Sequence, residues 1–220
     1  YGEIGLIWFD TPMIMSPEHS QELAELVKSI QPNCLVSGRI GNQFGDYMST
    51  GDNRIPTLPY YGDWEVPATL NDTWGYKKDD NNWKPPEQII KLLVKINSRG
   101  GNYLLNVGPD GKGVIPKPSV DILKRVGKWM AANGESIYAT KPVPVFPYDY
   151  ELEGIMFTRK PYKLYMHVFD WKKNIGLHCL ANKIKRAYIL ATGEEIEFNQ
   201  QYVPSLKQHR VSFMLPDEKP

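Results

Sequence analysis

Tyr1-Gly-Glu-Ile-Gly-Leu-Ile-Trp-Phe-Asp10 holds a short apolar run, Ile4 to Phe9, that stops at a carboxylate. In parallel α/β enzymes, barrels above all, chemistry sits at the C-terminal ends of buried strands. An aspartate at that position is therefore a candidate catalytic group. The run opens the chain with no lead-in segment, so the sequence reads as starting inside a domain.

Working outward, strand-like runs alternate with helical periodicity. Ser16-Pro17-Glu18 is a helix start, a capping serine followed by proline and an acid, and Leu23, Leu26, Val27 and Ile30 recur at helical spacing. Pro32-Asn33 ends that helix. Cys34-Leu-Val-Ser-Gly-Arg39 reads as a second strand. Residues 40–63 show no period and are rich in Gly, Asp, Asn and Pro, a long loop of the functional kind. Ala68 to Tyr76 reads as a third strand entering a loop. Pro85-Pro86 opens a helix with Ile89, Leu92, Leu93 and Ile96 inward. Asn102-Tyr-Leu-Leu-Asn-Val107 is a fourth strand, and 118–133 a helix with Gly134 as its C-cap. This alternation predicts consecutive βα units around a parallel sheet. About four strands are counted where a closed barrel has eight.

The texture changes at Lys141. Pro142, Pro144 and Pro147 make a stiff connection. Beyond it come short alternating runs at Ile155–Thr158, Leu164–Phe169, Ile175–His178, Ile184–Leu190, Ile196–Phe198 and Val211–Leu215, the spacing of an all-β sandwich or sheet.

Composition narrows the function. A net charge of +1 over 220 residues offers no basic stripe for nucleic acid. No apolar stretch reaches the roughly eighteen residues of a membrane span. Cys34 and Cys179 lie far apart and give no metal pattern and no disulfide framework, and His19, His167, His178 and His209 are scattered, so no metal or cofactor is expected. The glycines at 38–45 and 108–113 lack dinucleotide or P-loop order and read as turns, and no serine stands in a nucleophile elbow.

Four clusters fall where barrel loops converge: Trp8-Phe9-Asp10, Ser37-Gly38-Arg39, Trp64-Glu65 and Thr73-Trp74-Gly75-Tyr76. Two carboxylates, an arginine and several large rings suit glycoside hydrolysis. That reaction needs one carboxylate as nucleophile and one carboxylic acid to protonate the leaving oxygen, about 5–5.5 Å apart in retaining enzymes. Plainer readings stand beside it. Asp10 could cap a helix, Glu65 could be a solvated loop charge, and Arg39 could pair with a surface acid.

The longer strings carry a resemblance. Gly5-Leu-Ile-Trp-Phe-Asp10, Trp64-Glu-Val-Pro-Ala-Thr-Leu-Asn-Asp-Thr-Trp-Gly-Tyr76, Gly100-Gly-Asn-Tyr-Leu-Leu-Asn-Val-Gly-Pro109 and Gly127-Lys-Trp-Met-Ala-Ala-Asn-Gly-Glu-Ser-Ile-Tyr138 resemble the α-L-fucosidases of glycoside hydrolase family 29. The C-terminal region, including Leu164-Tyr-Met-His-Val-Phe169 and Ala187-Tyr-Ile-Leu190, resembles that family's second domain.

The resemblance implies α/β followed by all-β: the C-terminal half of a (β/α)8-like barrel over 1–141, then an antiparallel β-sandwich over 142–220. It implies removal of α-linked L-fucose from oligosaccharides or glycoconjugates with retention, in a secreted, periplasmic or lysosomal setting. Asp10 matches the nucleophile at the end of the fourth barrel strand. Trp8 matches a pocket tryptophan, and Trp74 an aromatic that closes over the sugar. Arg39 stands where many members have Asn-Asp-Arg-Trp, with Ser37, Gly38 and Ile40 around it instead. Glu65 is the expected acid/base. Some relatives use a glutamate in Thr-Pro-Glu-Tyr, where this chain has Ser49-Thr50-Gly51-Asp52, which leaves Asp52 as the second choice. The family's first three barrel strands have no counterpart here, so the 220-residue chain alone is expected to be inactive. A non-catalytic carbohydrate-binding protein on the same fold is the alternative.

Overall fold

Five short parallel strands carry the first part of the chain. The structure, a computed structural model, describes residues 2–10, 14–57, 60, 62–143, 149–178 and 180–220. By contacts the chain divides into two compact units, Tyr1–Leu123 and Lys124–Pro220. Of the expected connection, Pro144 and Pro147 lie outside the described residues, as does Cys179, while Pro142 sits in a strand.

In the first unit, β1 (Leu6–Ile7) pairs with β2 (Leu35–Val36), and β3 (Met48–Ser49), β4 (Trp64–Thr69) and β5 (Asn102–Asn106) pair in that order. Every pairing is parallel, and a single bridge, Ser37 to Tyr47, joins the two groups. Spatial order thus follows chain order, as consecutive βα units require. Helix α1 (Pro17–Ile30) starts as predicted, with the Ser16 hydroxyl accepting from His19 N at 3.3 Å. Lys28 ties it to the sheet: its Nζ donates to the Cys34 carbonyl at 2.8 Å and to Asp46 at 2.7 Å. The same Asp46 oxygen accepts from Val36 N.

β4 lies earlier than the sequence predicts, at Trp64–Thr69 rather than 68–76. Pro67 hides it, because proline cannot donate to a ladder and argues against a central strand. The structure accommodates it because β3 reaches only Trp64 and Glu65. Beyond them Asn53 stands in for a strand: its N–H donates to the Pro67 carbonyl at 2.8 Å and its Oδ1 accepts from Thr69 N at 3.1 Å. Asn53 does this at a φ of 55°, a left-handed conformation that asparagine tolerates. All six β4 residues are buried, as in strands covered on both faces. On one face Trp64 and Val66 pack with Ile96 of α2 (Pro86–Ser98), beside Ile55 and Tyr103. Gly101 is required there, since a Cβ would stand 2.4 Å from the Trp64 ring. In α2 the inward face includes Val94, with Leu92 and Leu93 only half-buried.

Helix α3 (Lys117–Asn133) runs as predicted, but Gly134 opens a 3-10 turn, Gly134–Ser136, instead of capping it. The second unit carries two antiparallel three-stranded sheets. One is β6 (Lys141–Pro142), β7 (Ile155–Lys160) and β8 (Lys163–Val168). The other is β10 (Glu197–Val203), β11 (Gln208–Met214) and β9 (Asn174–His178), in that spatial order. A short helix, α4 (Asp149–Leu152), precedes β7. Ile155 and Phe157 from the first sheet share a core with Ile175, Leu177, Val211 and Phe213 from the second, the period-two spacing seen in the sequence. The run 184–190 forms no continuous strand; within it Tyr188 alone bridges, to Glu195. One buried imidazole lies in this unit. Thr158 Oγ1 donates to the Ser136 carbonyl at 2.7 Å, so it accepts from His167 Nε2 at 3.1 Å. Burial brings the His167 pKa down to about 4.

Candidate active site

The parallel strands present their C-terminal ends, and the polar clusters, together. Trp8 and Asp10 follow β1 directly, and the Phe9 N–H donates to Ser37 Oγ at 2.9 Å, holding that exit against β2. Arg39 lies in a 3-10 turn, Gly38–Ile40, just past β2. This turn is pressed against the segment before β3. A Cβ on Gly38 would stand 2.5 Å from the Tyr47 carbonyl, and one on Gly45 would stand 2.5 Å from Gly38 Cα. Backbones this close leave room for glycine only, and that contact fixes where the guanidinium emerges.

Arg39 gathers the acids. Its Nη1 donates to Asp10 Oδ1 at 3.0 Å, and its Nη2 donates to Asp52 and, at 3.4 Å, to the Thr50 carbonyl. The guanidinium also lies over the Trp8 ring, 4.7 Å from its centroid. Burial opposes the charged guanidinium, but hydrogen bonds and charge from Asp52, then Asp10, outweigh it and hold the Arg39 pKa above its ordinary value. Asp10 and Asp52 are themselves exposed, with side-chain accessibilities of 62% and 49%.

Glu65 is a buried strand residue, not the loop charge that the sequence allowed, and is only 8% exposed. Trp8 Nε1 donates to Glu65 Oε1 at 2.5 Å. Trp8, Asp10, Arg39, Asp52 and Glu65 are thus linked contact by contact.

Trp74 joins through none of these contacts. It stands after β4 in a segment held at several points. Asp80 accepts from the Asp72 and Thr73 N–H groups and from the Thr73 hydroxyl. Those bonds, the Thr73 hydroxyl first, lower the Asp80 pKa. Lys84 Nζ donates to the Thr69 and Asn71 carbonyls, and Asn106 Nδ2 donates to the Trp74 carbonyl at 2.6 Å. The Trp74 side chain remains partly exposed, and its backbone carbonyl is the part tied to the end of β5.

Three residues of this region carry no signal in the sequence. Asn53, Asp80 and Tyr47 work through backbone partners or burial rather than through a motif. Among the described residues, no group of three His, Cys, Asp or Glu side chains could hold a metal ion, and no helix is long and apolar enough to cross a membrane.

Residues 1–135 match the family model of alpha-L-fucosidase. The chain belongs to the alpha-L-fucosidase family. It is 35% identical over 134 residues to the tissue alpha-L-fucosidase of Homo sapiens, covering 59% of this chain and 28% of that protein. The chain spans about a third or less of the curated relatives it matches. Two solved fucosidases share its structure over nearly its full length. Alpha-L-fucosidase isoenzyme 1 from Paenibacillus thiaminolyticus superposes with a TM-score of 0.83 at 31% identity, over 99% of this chain and 59% of that one. The alpha-L-fucosidase from Vibrio sp. strain EJY3 superposes with a TM-score of 0.88 at 29% identity, over 99% and 40%.

Proposed function

We propose that this sequence supplies the nucleophile and the acid/base of a retaining α-L-fucosidase acting on fucosylated oligosaccharides or glycoconjugates. The observation that carries this reading is the Trp8 indole. It stands two residues from Asp10, is covered by the arginine that binds Asp10, and donates to Glu65. One aromatic group thereby joins the two carboxylates that the reaction needs.

Asp10 attacks the anomeric carbon as Glu65 gives its proton to the departing glycosidic oxygen, and a fucosyl ester forms on Asp10. Glu65, now a carboxylate, takes a proton from water as that water attacks the anomeric carbon; the bond from that carbon to Asp10 breaks, the Asp10 carboxylate is restored and fucose leaves with retention. Arg39 holds Asp10 through the bond from Nη1 to Oδ1 and so fixes the carboxylate that attacks. Trp8 orients Glu65 and packs on the sugar, and Trp74 closes over it. Asp52 is neutralised by Arg39 and partly exposed, so Glu65 is the better placed acid.

In this reading residues 1–141 belong to a (β/α)8-like barrel and 142–220 to a β-sandwich. The parallel order β1 to β5 and the shared core of the two antiparallel sheets support the two architectures, while the division by contacts falls earlier, between Leu123 and Lys124.

The test is Asp10→Gly in the protein that carries this sequence, assayed on an aryl α-L-fucoside. Activity is expected to fall by about three orders of magnitude or more. Azide should restore turnover and yield the inverted β-fucosyl azide. Undiminished activity would refute the assignment. The 220-residue chain alone is expected to release no measurable fucose. Sugar sites bury most of their ligand, whereas the Asp10 side chain is 62% accessible in this chain.

A further inference from the structure

The face of the sheet that carries Glu65 also carries two hydroxyls with no assigned role. β3 pairs with β4 so that Ser49 lies opposite Glu65, and directly paired residues of a parallel ladder point to the same side. Tyr47, two residues before Ser49, shares that side, and its backbone bridges to Ser37, just past β2. Trp64 points the other way, into the α2 contact. Tyr47 Oη and Ser49 Oγ are both buried and make no well-formed hydrogen bond. Buried hydroxyls are normally paired, and an exception calls for a reason.

Tyr47 lies close enough to Glu65 to feel it. Burial first, then the charge and proximity of the Glu65 carboxylate, push its phenol pKa up. The phenol therefore keeps its proton at any working pH. It can donate to a carboxylate but does not hand the proton over.

We infer that Tyr47 is a positioning residue for Glu65, its hydroxyl completing the set of donors that the Trp8 indole begins. This rests on the reading of Glu65 as acid/base. When Glu65 has given its proton to the leaving oxygen, the Tyr47 O–H donates to the carboxylate oxygen not held by Trp8. When Glu65 takes a proton from water, that bond relaxes. No bond of the phenol breaks in either step. Tyr47 thus holds the carboxylate in one orientation.

Other groups also face Glu65. They are the Trp8 indole from the exit of β1, Ser49 from β3 and Asn102, its register partner on β5. The nearest charges along the contact chain are Arg39 and the two acids it binds, Asp10 and Asp52. None of these changes in Tyr47→Phe, which removes one oxygen and keeps the ring.

The experiment measures kcat/KM against pH for wild type and Tyr47→Phe on an aryl α-L-fucoside with a poor leaving group. Loss of a donor to the ionised form favours the protonated form. The alkaline limb, which reports loss of the acid's proton, should therefore move up by about half a pH unit or more, with kcat lower by about tenfold. On a substrate with a strongly activated leaving group, whose departure needs little proton transfer, the kcat deficit should shrink. A purely structural role would leave both limbs in place and lower activity equally on both substrates. That pattern, or wild-type kinetics, overturns the inference. Glu65→Gln separates the two readings. If it turns over the poor-leaving-group substrate at the wild-type rate, the acid/base reading fails. If it is inactive while Tyr47→Phe behaves as wild type, only the role of Tyr47 fails.

Discussion

Trp8 Nε1 donates to Glu65 Oε1 at 2.5 Å across 57 positions of sequence. The donor leaves the first strand of the sheet and the acceptor is buried in the fourth. Trp8→Phe keeps a ring beneath Arg39 but removes the indole N–H. It is expected to lower kcat/KM by about ten- to a hundredfold, because Glu65 loses its one well-formed side-chain hydrogen bond among the described residues. Steady-state kinetics on an aryl α-L-fucoside measure this. A smaller loss in Trp8→Phe than in Trp8→Ala would separate the ring's packing from its hydrogen bond.

Asn53 is expected to matter for stability far more than its loop position suggests. It completes the ladder of β4 through its own N–H and through an amide oxygen that accepts from Thr69 N. Asn53→Ala leaves the Thr69 N–H without that partner and places alanine at a φ of 55°. The cost should be about 1–3 kcal/mol in denaturant unfolding. Asn53→Gly, which tolerates the backbone but lacks the amide, should recover part of that loss. Equal stability in all three forms would contradict the account of β4.

Much of the α/β pattern is legible in the sequence, and its failures have local causes. Ser16-Pro17 predicts α1 because capping is a short-range matter of one hydroxyl and one N–H. The β4 boundary is misread because Pro67 is a poor strand residue by its own chemistry. Only the partner Asn53, fourteen positions away, makes it acceptable. β3 has two residues and no period, so Tyr47 and Ser49 could not be placed on the Glu65 face without the register. The four site clusters are legible as motifs. The links between them, Arg39 to Asp10 and Trp8 to Glu65, are long-range contacts that no spacing reveals.

The second unit should lose stability on mild acidification through His167. Its folded pKa of about 4 lies below the ordinary 6.5, so protonation favours the unfolded chain. The contribution is present in full above about pH 6.5 and is lost as pH falls towards 4, about 2 kcal/mol by pH 5. Glu135 is held below its ordinary value by hydrogen bonds from Lys163 and Tyr165 and acts in the same sense, its contribution being lost as pH falls further. Urea unfolding at about pH 7 and pH 5 checks this. His167→Gln should show a pH dependence shallower by that amount, and an unchanged dependence would place the effect elsewhere.

The central claim is that Asp10 becomes covalently bonded to the sugar. It is tested most directly by treating the protein that carries this sequence with a 2-deoxy-2-fluoro fucosyl donor, which slows breakdown of the intermediate. Mass spectrometry of the digested protein then locates the label. The account predicts one fucosyl adduct on the peptide containing Asp10, absent in Asp10→Gly. An adduct on Glu65, Asp52 or any other residue, or full turnover with no adduct, would contradict it.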